Sequence, residues 1–261
     1  MGRRVVSPSV LRRWHALGSA ESDECQIDAI AHSWAVLSGA ADPVRARTAM
    51  QSAGERLVRE DARLIMLLAL PFDHTAHDPG YIKGCVPGER KNGAQYTHAA
   101  LWTVSVAAHL GDGDRAGHLM SMFNPLAYAR TAGDVVTYRV EPYAVCADVY
   151  TAAGHIGRGG WTWHTGSASW MYRVALKGIL GFTKRGDRLS IEPCVPTSWK
   201  EFAIEYRYGL SSYAIAVRNP DGVSHGVTRV DVDGRRATNG VVVLADDGAR
   251  HEVVVTMEKL A

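Results

Sequence analysis

The densest cluster of chemically useful side chains lies between residues 157 and 173, where three tryptophans, a histidine and several hydroxyl groups stand close together. Within it, Thr165, Gly166 and Ser167 come just before a run of residues with helical spacing. The start of a helix exposes unpaired N–H groups and the positive end of the helix dipole, and both attract anions. A glycine at position 166 lets an anion approach the backbone closely. These features predict an oxyanion site at Thr165 and Gly166.

The same cluster contains Trp161 and Trp163, which offer flat apolar faces of the kind that pack against sugar rings. A purely structural interpretation also fits. In that case Thr165 or Ser167 caps the helix and the tryptophans fill the core.

A second cluster places Gln95, Tyr96, Thr97 and His98 in the first turn of an otherwise apolar helix predicted over about 95–110. The pKa of a histidine lies close to neutrality, so His98 could bind a phosphate oxygen or an acid. The alternative is a histidine that serves the fold, with its ring hydrogen-bonded in the interior.

Two carboxylates form the third candidate. Glu141 and Asp148 lie on a helix predicted over about 141–153, at a spacing that puts both on one face. Carboxylates that face one cleft could bind sugar hydroxyls or act as general acid and base, which makes both weak catalytic candidates. The alternative is a Glu-Pro helix start, at which Glu141 interacts with the helix dipole.

A long connection over about 73–94 contains Tyr81, Lys83, Arg90 and Lys91. Loops longer than about 15 residues in a compact domain are usually functional or disordered. The sequence favours a functional loop here.

Apolar spacing predicts six helices before about residue 183 and roughly six short strands after it. Four of the predicted helices cover about 24–37, 95–110, 141–153 and 167–180. Another opens at Asp42 and Pro43, and the remaining one follows 111–114 and ends near 123–125. The predicted strands are 188–191, 203–208, 212–217, 228–232, 240–244 and 252–256. Asp-Gly pairs at 221–222, 233–234 and 247–248 predict hairpins between them.

These elements predict an α+β chain in which stacked helix pairs precede an antiparallel β-sandwich. The expected domains are an N-terminal extension over 1–22, a helical domain over 23–182 and the sandwich over 183–261.

The amino-acid composition argues against some functional classes. The 261 residues are 46% hydrophobic and 21% charged, with a formal charge of +2, which argues against a dedicated nucleic-acid binder. Four widely spaced cysteines without a CxxC pair favour reduced thiols and a cytoplasmic location. His74 and His77 belong to no complete ligand set, so no metal is predicted.

Five segments resemble the C-terminal part of glycoside hydrolase family 94, which contains cellobiose and chitobiose phosphorylases and the C-terminal region of cyclic β-1,2-glucan synthases. They are IDAIAHSWAVLSG (27–39), PGYIKG (79–84), NGAQYTH (92–98), YRVEPY (138–143) and GGWTWHTGSA (159–168). The resemblance extends from about residue 17 to about residue 219 and is strongest to the glucan synthase branch.

The resemblance implies part of an (α/α)6 toroid, with about six of twelve helices, followed by a jelly-roll-like sandwich. It implies an inverting reaction in which inorganic phosphate cleaves a β-glucoside or β-glucan and gives α-glucose 1-phosphate. Phosphate is the co-substrate, and no cofactor is implied. His98, Thr165 and Gly166 match the phosphate-binding positions of the family. The candidates for sugar binding are Tyr81, Gln95, Trp161 and Trp163.

The chain also departs from the family. The general acid of the family is an aspartate in a Trp-Asn-Asp motif, and this motif is absent here. An upstream arginine of the phosphate site lies outside the match, and Lys91 stands where relatives usually have Glu. We therefore expect the C-terminal portion of a larger enzyme, inactive alone, that self-associates or binds an upstream barrel half. The alternatives are a non-catalytic carbohydrate-binding or assembly module, and an inverting hydrolase that uses Glu141 or Asp148.

Overall fold

A computed structural model describes residues 9–10, 16–76, 78–163 and 166–259. The chain contains helices and several sheets, so the predicted α+β class is confirmed. It divides into two compact units: the first comprises Met1–Val106 and Leu119–Met171, and the second comprises Ala107–His118 and Tyr172–Ala261. The toroid, the jelly roll and the domain boundaries at 22 and 182 stay predictions.

The described residues form six α-helices, most of them where apolar spacing predicts them. They are α1 (Ala29–Leu37), α2 (Pro43–Leu57), α3 (Thr97–His109), α4 (Gly113–Phe123), α5 (Ala132–Tyr138) and α6 (Ser167–Arg173), which continues as a π-helix (Val174–Ile179). The predicted start of α2 is confirmed, because Asp42 Oδ1 accepts the backbone N–H groups of Val44 and Arg45. The first helix begins later than predicted, at Ala29, since the preceding residues, Ile27–Asp28, form a short strand.

The predicted helix over 141–153 is wrong. Glu141 lies in an irregular segment, and Asp148 lies in a two-residue strand, so the two carboxylates do not share a helix face. Tertiary pairing competes with the helix here, because the N–H of Ala147 donates to the carbonyl of Trp161 at 2.7 Å. The nearby helix α5 was not predicted, although Thr131 and Asp134 form a capping box that the sequence displays.

The strands of the first unit form four short two-stranded sheets. They are β1 (Ser9–Val10), β2 (Ala16–Leu17), β3 (Ile27–Asp28), β4 (Val58–Arg59), β5 (Leu64–Ile65), β6 (Leu68–Ala69), β7 (Gln95–Tyr96) and β8 (Asp148–Val149). The pairs are β1 with β2, β3 with β6, β4 with β5, and β7 with β8. In the last pair Tyr96 lies opposite Asp148, which joins the residues before α3 to the segment that contains the carboxylate.

The second unit contains two larger sheets. Its strands are β9 (Phe182–Arg185), β10 (Arg188–Ile191), β11 (Glu201–Tyr208), β12 (Ser211–Arg218), β13 (Val227–Val232), β14 (Arg235–Arg236), β15 (Val241–Val243) and β16 (Arg250–Met257). One sheet has the order β15-β10-β9 and the other has the order β11-β12-β16-β13-β14. Alternate residues of β12, among them Tyr213, Ile215 and Val217, are buried, as a half-buried strand requires.

The six predicted strands are confirmed, whereas the predicted antiparallel pairing is only partly right. β12 pairs with β16 in the parallel sense, and β9 and β14 were not predicted. The turn at 233–234 forms a hairpin between β13 and β14. The turns at 221–222 and 247–248 connect strands that do not pair with each other, so these two hairpin predictions are wrong.

All four cysteines are free thiols, as predicted. Within the part of the chain that the structure describes, no helix has the length and apolar character needed to cross a membrane. No group of three His, Cys, Asp or Glu side chains is arranged to hold a metal ion among the same residues, which do not include His77. The cytoplasmic location stays a prediction.

Candidate active site

The first unit contains a pocket of about 330 Å³, within the size range of small-molecule sites. Its lining residues are Arg90, Lys91, Tyr96, His98, Ala147, Asp148, Trp161 and Gly166. Four of these eight, namely His98, Asp148, Trp161 and Gly166, are residues to which the sequence analysis gives a possible role.

Backbone hydrogen bonds bring three separate segments of the chain together around this pocket. The N–H of Thr97, the first residue of α3, donates to the carbonyl of Ala147 at 2.9 Å. The N–H of Ala147 donates in turn to the carbonyl of Trp161, and the N–H of Gly160 donates to the carbonyl of Asp148 at 2.8 Å. Residues that are far apart in sequence are therefore fixed side by side by main-chain atoms.

His98 and Gly166 lie in direct proximity. A Cβ atom built on Gly166 would lie 3.1 Å from Nε2 of His98 and 3.2 Å from its Cε1, so the imidazole edge faces the bare backbone of the glycine. Thr165, the third residue of the predicted phosphate site, lies outside the described residues. Its role stays a prediction.

The imidazole of His98 is half-buried, and burial lowers its pKa, which keeps the ring neutral at pH 7. Its Nδ1 atom has no hydrogen-bond partner among the described residues. The ring lies 5.4 Å from the ring of Tyr96 and 6.0 Å from that of Trp102, measured between centroids. A neutral imidazole held in this way offers one N–H donor and one acceptor to a ligand.

A tight turn presents two cations to the pocket. The N–H of Asn92 donates to the carbonyl of Glu89 at 3.0 Å, which places Arg90 and Lys91 at the tip of the turn. Arg90 has a φ of 51°, in the left-handed region that non-glycine residues rarely adopt. Such strain persists only when the surrounding structure enforces it, and it concentrates at functional sites.

The side chain of Asn92 anchors the end of this turn. It is fully buried, its Nδ2 donates to the carbonyls of Phe72 and Cys85 at 2.8 and 2.9 Å, and its Oδ1 accepts the N–H of Phe72 at 2.7 Å. One amide thereby fastens the turn with Arg90 and Lys91 to the preceding loop.

Lys91 is held between two aromatic rings. Its Nζ donates to the hydroxyl of Tyr81 at 3.1 Å and lies 5.1 Å and 5.7 Å from the ring centroids of Tyr81 and Tyr96. The hydrogen bond with Tyr81 raises the pKa of the Lys91 ammonium, so this cation stays charged at neutral pH. Tyr81 itself is exposed and adjoins the pocket through Lys91.

Asp148 lies at the inner wall of the pocket with only 4% of its surface exposed. Its Oδ1 accepts the N–H of Trp161 at 3.4 Å, whereas Oδ2 has no hydrogen-bond partner among the described residues. Burial raises the pKa of the carboxyl, against smaller opposite effects of the Trp161 N–H, the Arg90 charge and the backbone N–H of Arg90. A Cβ on Gly160 would lie 2.4 Å from Oδ2, so only glycine fits beside this carboxyl.

The structure does not bring the other sequence candidates into the pocket lining. Gln95 is 1% exposed, and its Oε1 accepts the N–H of Ile65 at 3.0 Å, so its amide is used inside the fold. Glu141 Oε1 accepts a hydrogen bond from Trp163 Nε1 at 3.2 Å, outside the described pocket lining. Trp161, by contrast, lines the pocket with 58% of its surface exposed.

The sequence predicts no specific binding role for Arg90, Tyr96 or Ala147, and it places Lys91 in the functional loop and as a departure from the family. The available indication was the long loop itself, whose length and cations favour a functional role. What the sequence does not display is the turn that directs both cations to His98 and Asp148.

One pocket thus contains a neutral histidine, two cations and an exposed indole, which are groups that can bind an anion and an apolar ring face. Comparison with known proteins agrees. The model of the Glycosyl hydrolase 94 superfamily, catalytic domain, matches residues 10–181, and the chain belongs to this family of carbohydrate-active enzymes.

Three relatives illustrate the range of the family. The chain is 46% identical over 201 residues to the cyclic beta-(1,2)-glucan synthase NdvB of Rhizobium meliloti, which covers 77% of this chain and 7% of the relative. It is 32% identical to the N,N'-diacetylchitobiose phosphorylase of Vibrio furnissii, over 84% of this chain and 27% of the relative. It is 29% identical to the solabiose phosphorylase of Paenibacillus borealis, over 92% of this chain and 31% of the relative. The chain thus spans less than a third of the length of each.

Proposed function

We propose that this chain forms the phosphate-binding side, and part of the sugar-binding side, of an inverting β-glucoside phosphorylase of the cyclic β-1,2-glucan synthase type. The observation that supports it is the contact between His98 and Gly166 in a pocket that also contains Arg90 and Lys91. Relatives named as phosphorylases use phosphate as co-substrate, and phosphate needs this combination of hydrogen-bond donors and positive charge.

In the proposed reaction a phosphate oxygen attacks the anomeric carbon of a β-glucosyl unit. The new carbon–oxygen bond forms on the face opposite the leaving oxygen, so the product is α-glucose 1-phosphate. His98 donates a hydrogen bond to the phosphate, and Arg90 and Lys91 balance its charge. Trp161 packs against the sugar, and Thr165 and Tyr81 are further contacts within this proposal.

The leaving oxygen needs a proton as the bond breaks. A positioned general acid typically contributes about 10²–10⁴-fold in rate, and the Trp-Asn-Asp acid motif does not occur in this sequence. We place that acid on residues outside this chain, and we expect the chain alone to bind phosphate without measurable phosphorolysis.

Titration calorimetry with inorganic phosphate tests the binding half of the proposal. We expect His98→Gln to raise the dissociation constant about tenfold, which is the effect of about 1.4 kcal/mol. The matched control is His155→Gln, because His155 is an exposed histidine outside this pocket, and phosphate affinity should not change. Wild-type protein that binds no phosphate, or equal affinity in wild type and His98→Gln, contradicts the proposal.

A second candidate is a non-catalytic carbohydrate-binding module. Exposed aromatic rings favour it, since Trp161, Trp163 and Tyr143 are 58%, 64% and 69% exposed and Tyr143 packs edge-on against Trp163. Binding of β-1,2-gluco-oligosaccharides that is indifferent to phosphate supports this candidate. Affinity that rises when phosphate is present supports the phosphorylase site.

A hydrolase that uses Glu141 or Asp148 is less well supported than either. Glu141 lies outside the described pocket lining and accepts a hydrogen bond from Trp163. Asp148 lies in the pocket, but the described lining contains no second carboxylate to act with it. Release of glucose without phosphate would favour it, and α-glucose 1-phosphate as product would end it.

A further inference from the structure

Asp148 is the only acidic residue among the described lining residues of the pocket. Its carboxyl is almost fully enclosed, and one oxygen, Oδ1, accepts the N–H of Trp161. The other oxygen, Oδ2, is buried without a hydrogen-bond partner among the described residues. A buried polar atom in this condition costs free energy unless a ligand or another group supplies the missing hydrogen bond.

The charged and titratable groups near the carboxyl do not remove this cost. They are Arg90, Glu89, Cys146, Tyr150 and, in the same pocket, Lys91, Tyr96 and His98. Arg90 favours the ionised carboxylate through its charge and its backbone N–H, and Glu89 opposes it, while the effect of burial exceeds each of these and raises the pKa of the carboxyl. Burial thus shifts the carboxyl towards its neutral form relative to a free aspartate, and the neutral form carries an O–H donor that needs an acceptor.

We propose that Asp148 is an anion-binding residue whose neutral carboxyl donates a hydrogen bond from Oδ2 to an oxygen of the phosphate held beside His98 and Gly166. This inference rests on the proposed function and adds a ligand contact to it. An ionised Asp148 would repel a phosphate dianion in the same pocket, where low dielectric strengthens the repulsion. The neutral acid satisfies its own hydrogen bond and one phosphate oxygen together.

The consequence is that anion and proton bind together. Above the pKa of the Asp148 carboxyl, each pH unit leaves about ten times less of the protonated form, so the dissociation constant of the anion rises about tenfold per pH unit. Lys91, whose pKa is raised by its hydrogen bond with Tyr81, keeps its charge over this range and contributes no slope of its own.

Sulfate is the suitable probe, because it stays a dianion over the whole range and any pH dependence belongs to the protein. Calorimetry from about pH 5 to about pH 9 compares wild type with Asp148→Asn, whose amide keeps an N–H donor but does not ionise. We expect the affinity of the wild type to fall with increasing pH and that of Asp148→Asn to stay high. His98→Gln, analysed in the same way, separates the titration of the imidazole from that of the carboxyl.

Infrared difference spectra of the wild type supply a second test, which does not depend on whether the Asp148→Asn variant folds. Above the pKa of the carboxyl, addition of sulfate should produce the band of a protonated carboxylic acid. The same pH slope in wild type and Asp148→Asn, or no such band, overturns the role of Asp148 and leaves the phosphate site standing. Absence of sulfate and phosphate binding at every pH overturns the proposed function as well.

Discussion

At the scale of single residues, Gly166 controls how closely a ligand approaches His98. A Cβ atom at this position would lie 3.1 Å from Nε2 of the imidazole, which is closer than most contacts of Cβ atoms. We expect Gly166→Ala to displace the ring or occupy the anion position, and to weaken sulfate or phosphate binding about tenfold, which calorimetry measures.

Gly84→Ala is the matched control for this substitution. Gly84 has an ordinary φ, and a Cβ there meets nothing within 4 Å, so neither fold nor affinity should change. Unchanged anion affinity in Gly166→Ala would show that the ligand does not occupy the space between His98 and the glycine.

Particular residues show how far the sequence predicts the site. His98 and Gly166 were selected from residue type and position near a helix start, and the structure places them in contact. The sequence predicts Asp148 on the face of a helix, whereas the residue lies in a short strand. It predicts Gln95 as a ligand contact, whereas the Gln95 Oε1 atom accepts the N–H of Ile65. Burial and pairing partners are set by tertiary structure, and residue spacing does not encode them.

At the scale of elements, one buried amide holds the turn that carries the two cations. Asn92 makes three hydrogen bonds to the backbone of Phe72 and Cys85. At about 1 kcal/mol each, their loss in Asn92→Ala should lower the free energy of unfolding by about 3 kcal/mol, measured by urea denaturation. Anion affinity should fall as well, because Arg90 and Lys91 lose their fixed position.

The second unit contains an asparagine whose substitution is a matched control for Asn92→Ala. Asn219 is equally buried and makes three hydrogen bonds to the backbone of Trp199 and Val223. Asn219→Ala should therefore lower stability by a similar amount and leave the anion affinity of the folded protein unchanged. Equal loss of affinity in both variants would mean that stability, and not the turn, determines binding.

A histidine clamp joins two turns of the larger sheet. His251 Nδ1 lies 2.8 Å from Asp233 Oδ2, and Nε2 lies 3.2 Å from Asp247 Oδ1. The hydrogen bond with Asp233 raises the pKa of His251 above its usual 6.5, and the pKa values of both carboxyls are lowered. The clamp therefore stabilises the fold fully below about pH 6.5 and loses this contribution as the pH rises through the raised pKa of the imidazole.

Urea denaturation of wild type and His251→Gln checks the sign of this effect. The wild type should exceed the variant in unfolding free energy near pH 6, and the difference should shrink by about pH 8.5. A double-mutant cycle with Asp233→Asn isolates the coupling of the pair from other losses. A difference that grows with increasing pH would contradict the clamp.

The elements that sequence patterns predict well are those with strong local signatures. Asp42 followed by Pro43 marks the start of α2, and alternation along 212–217 marks a strand. The segment 144–149 has small apolar residues with no decisive period, and its strand forms because Ala147 and Asp148 pair with distant residues. The parallel pairing of β12 with β16 is likewise a long-range property.

At the scale of the whole molecule, the second compact unit includes a segment from the helical part of the sequence, Ala107–His118. Its contacts within that unit are close: a Cβ on Gly113 would lie 2.1 Å from the carbonyl oxygen of Val195, and one on Gly117 would lie 2.4 Å from Pro196 Cγ. The N–H of Thr197 donates to Asp114 Oδ1 at 2.8 Å. The start of α4 therefore has its packing partners in the β-rich part of the chain.

This arrangement predicts that the helical part does not fold by itself. A chain that ends at residue 171 keeps most of the predicted helical domain but loses every partner of Gly113, Gly117 and Asp114 named above. We expect it to lack a cooperative unfolding transition and to give a poorly dispersed amide NMR spectrum, because exposed apolar helix faces favour association. In the 261-residue chain, Gly117→Ala disturbs only the contact with Pro196, and this variant should still unfold cooperatively. A truncated chain with dispersed amide signals and a sharp transition would instead support an independent helical domain.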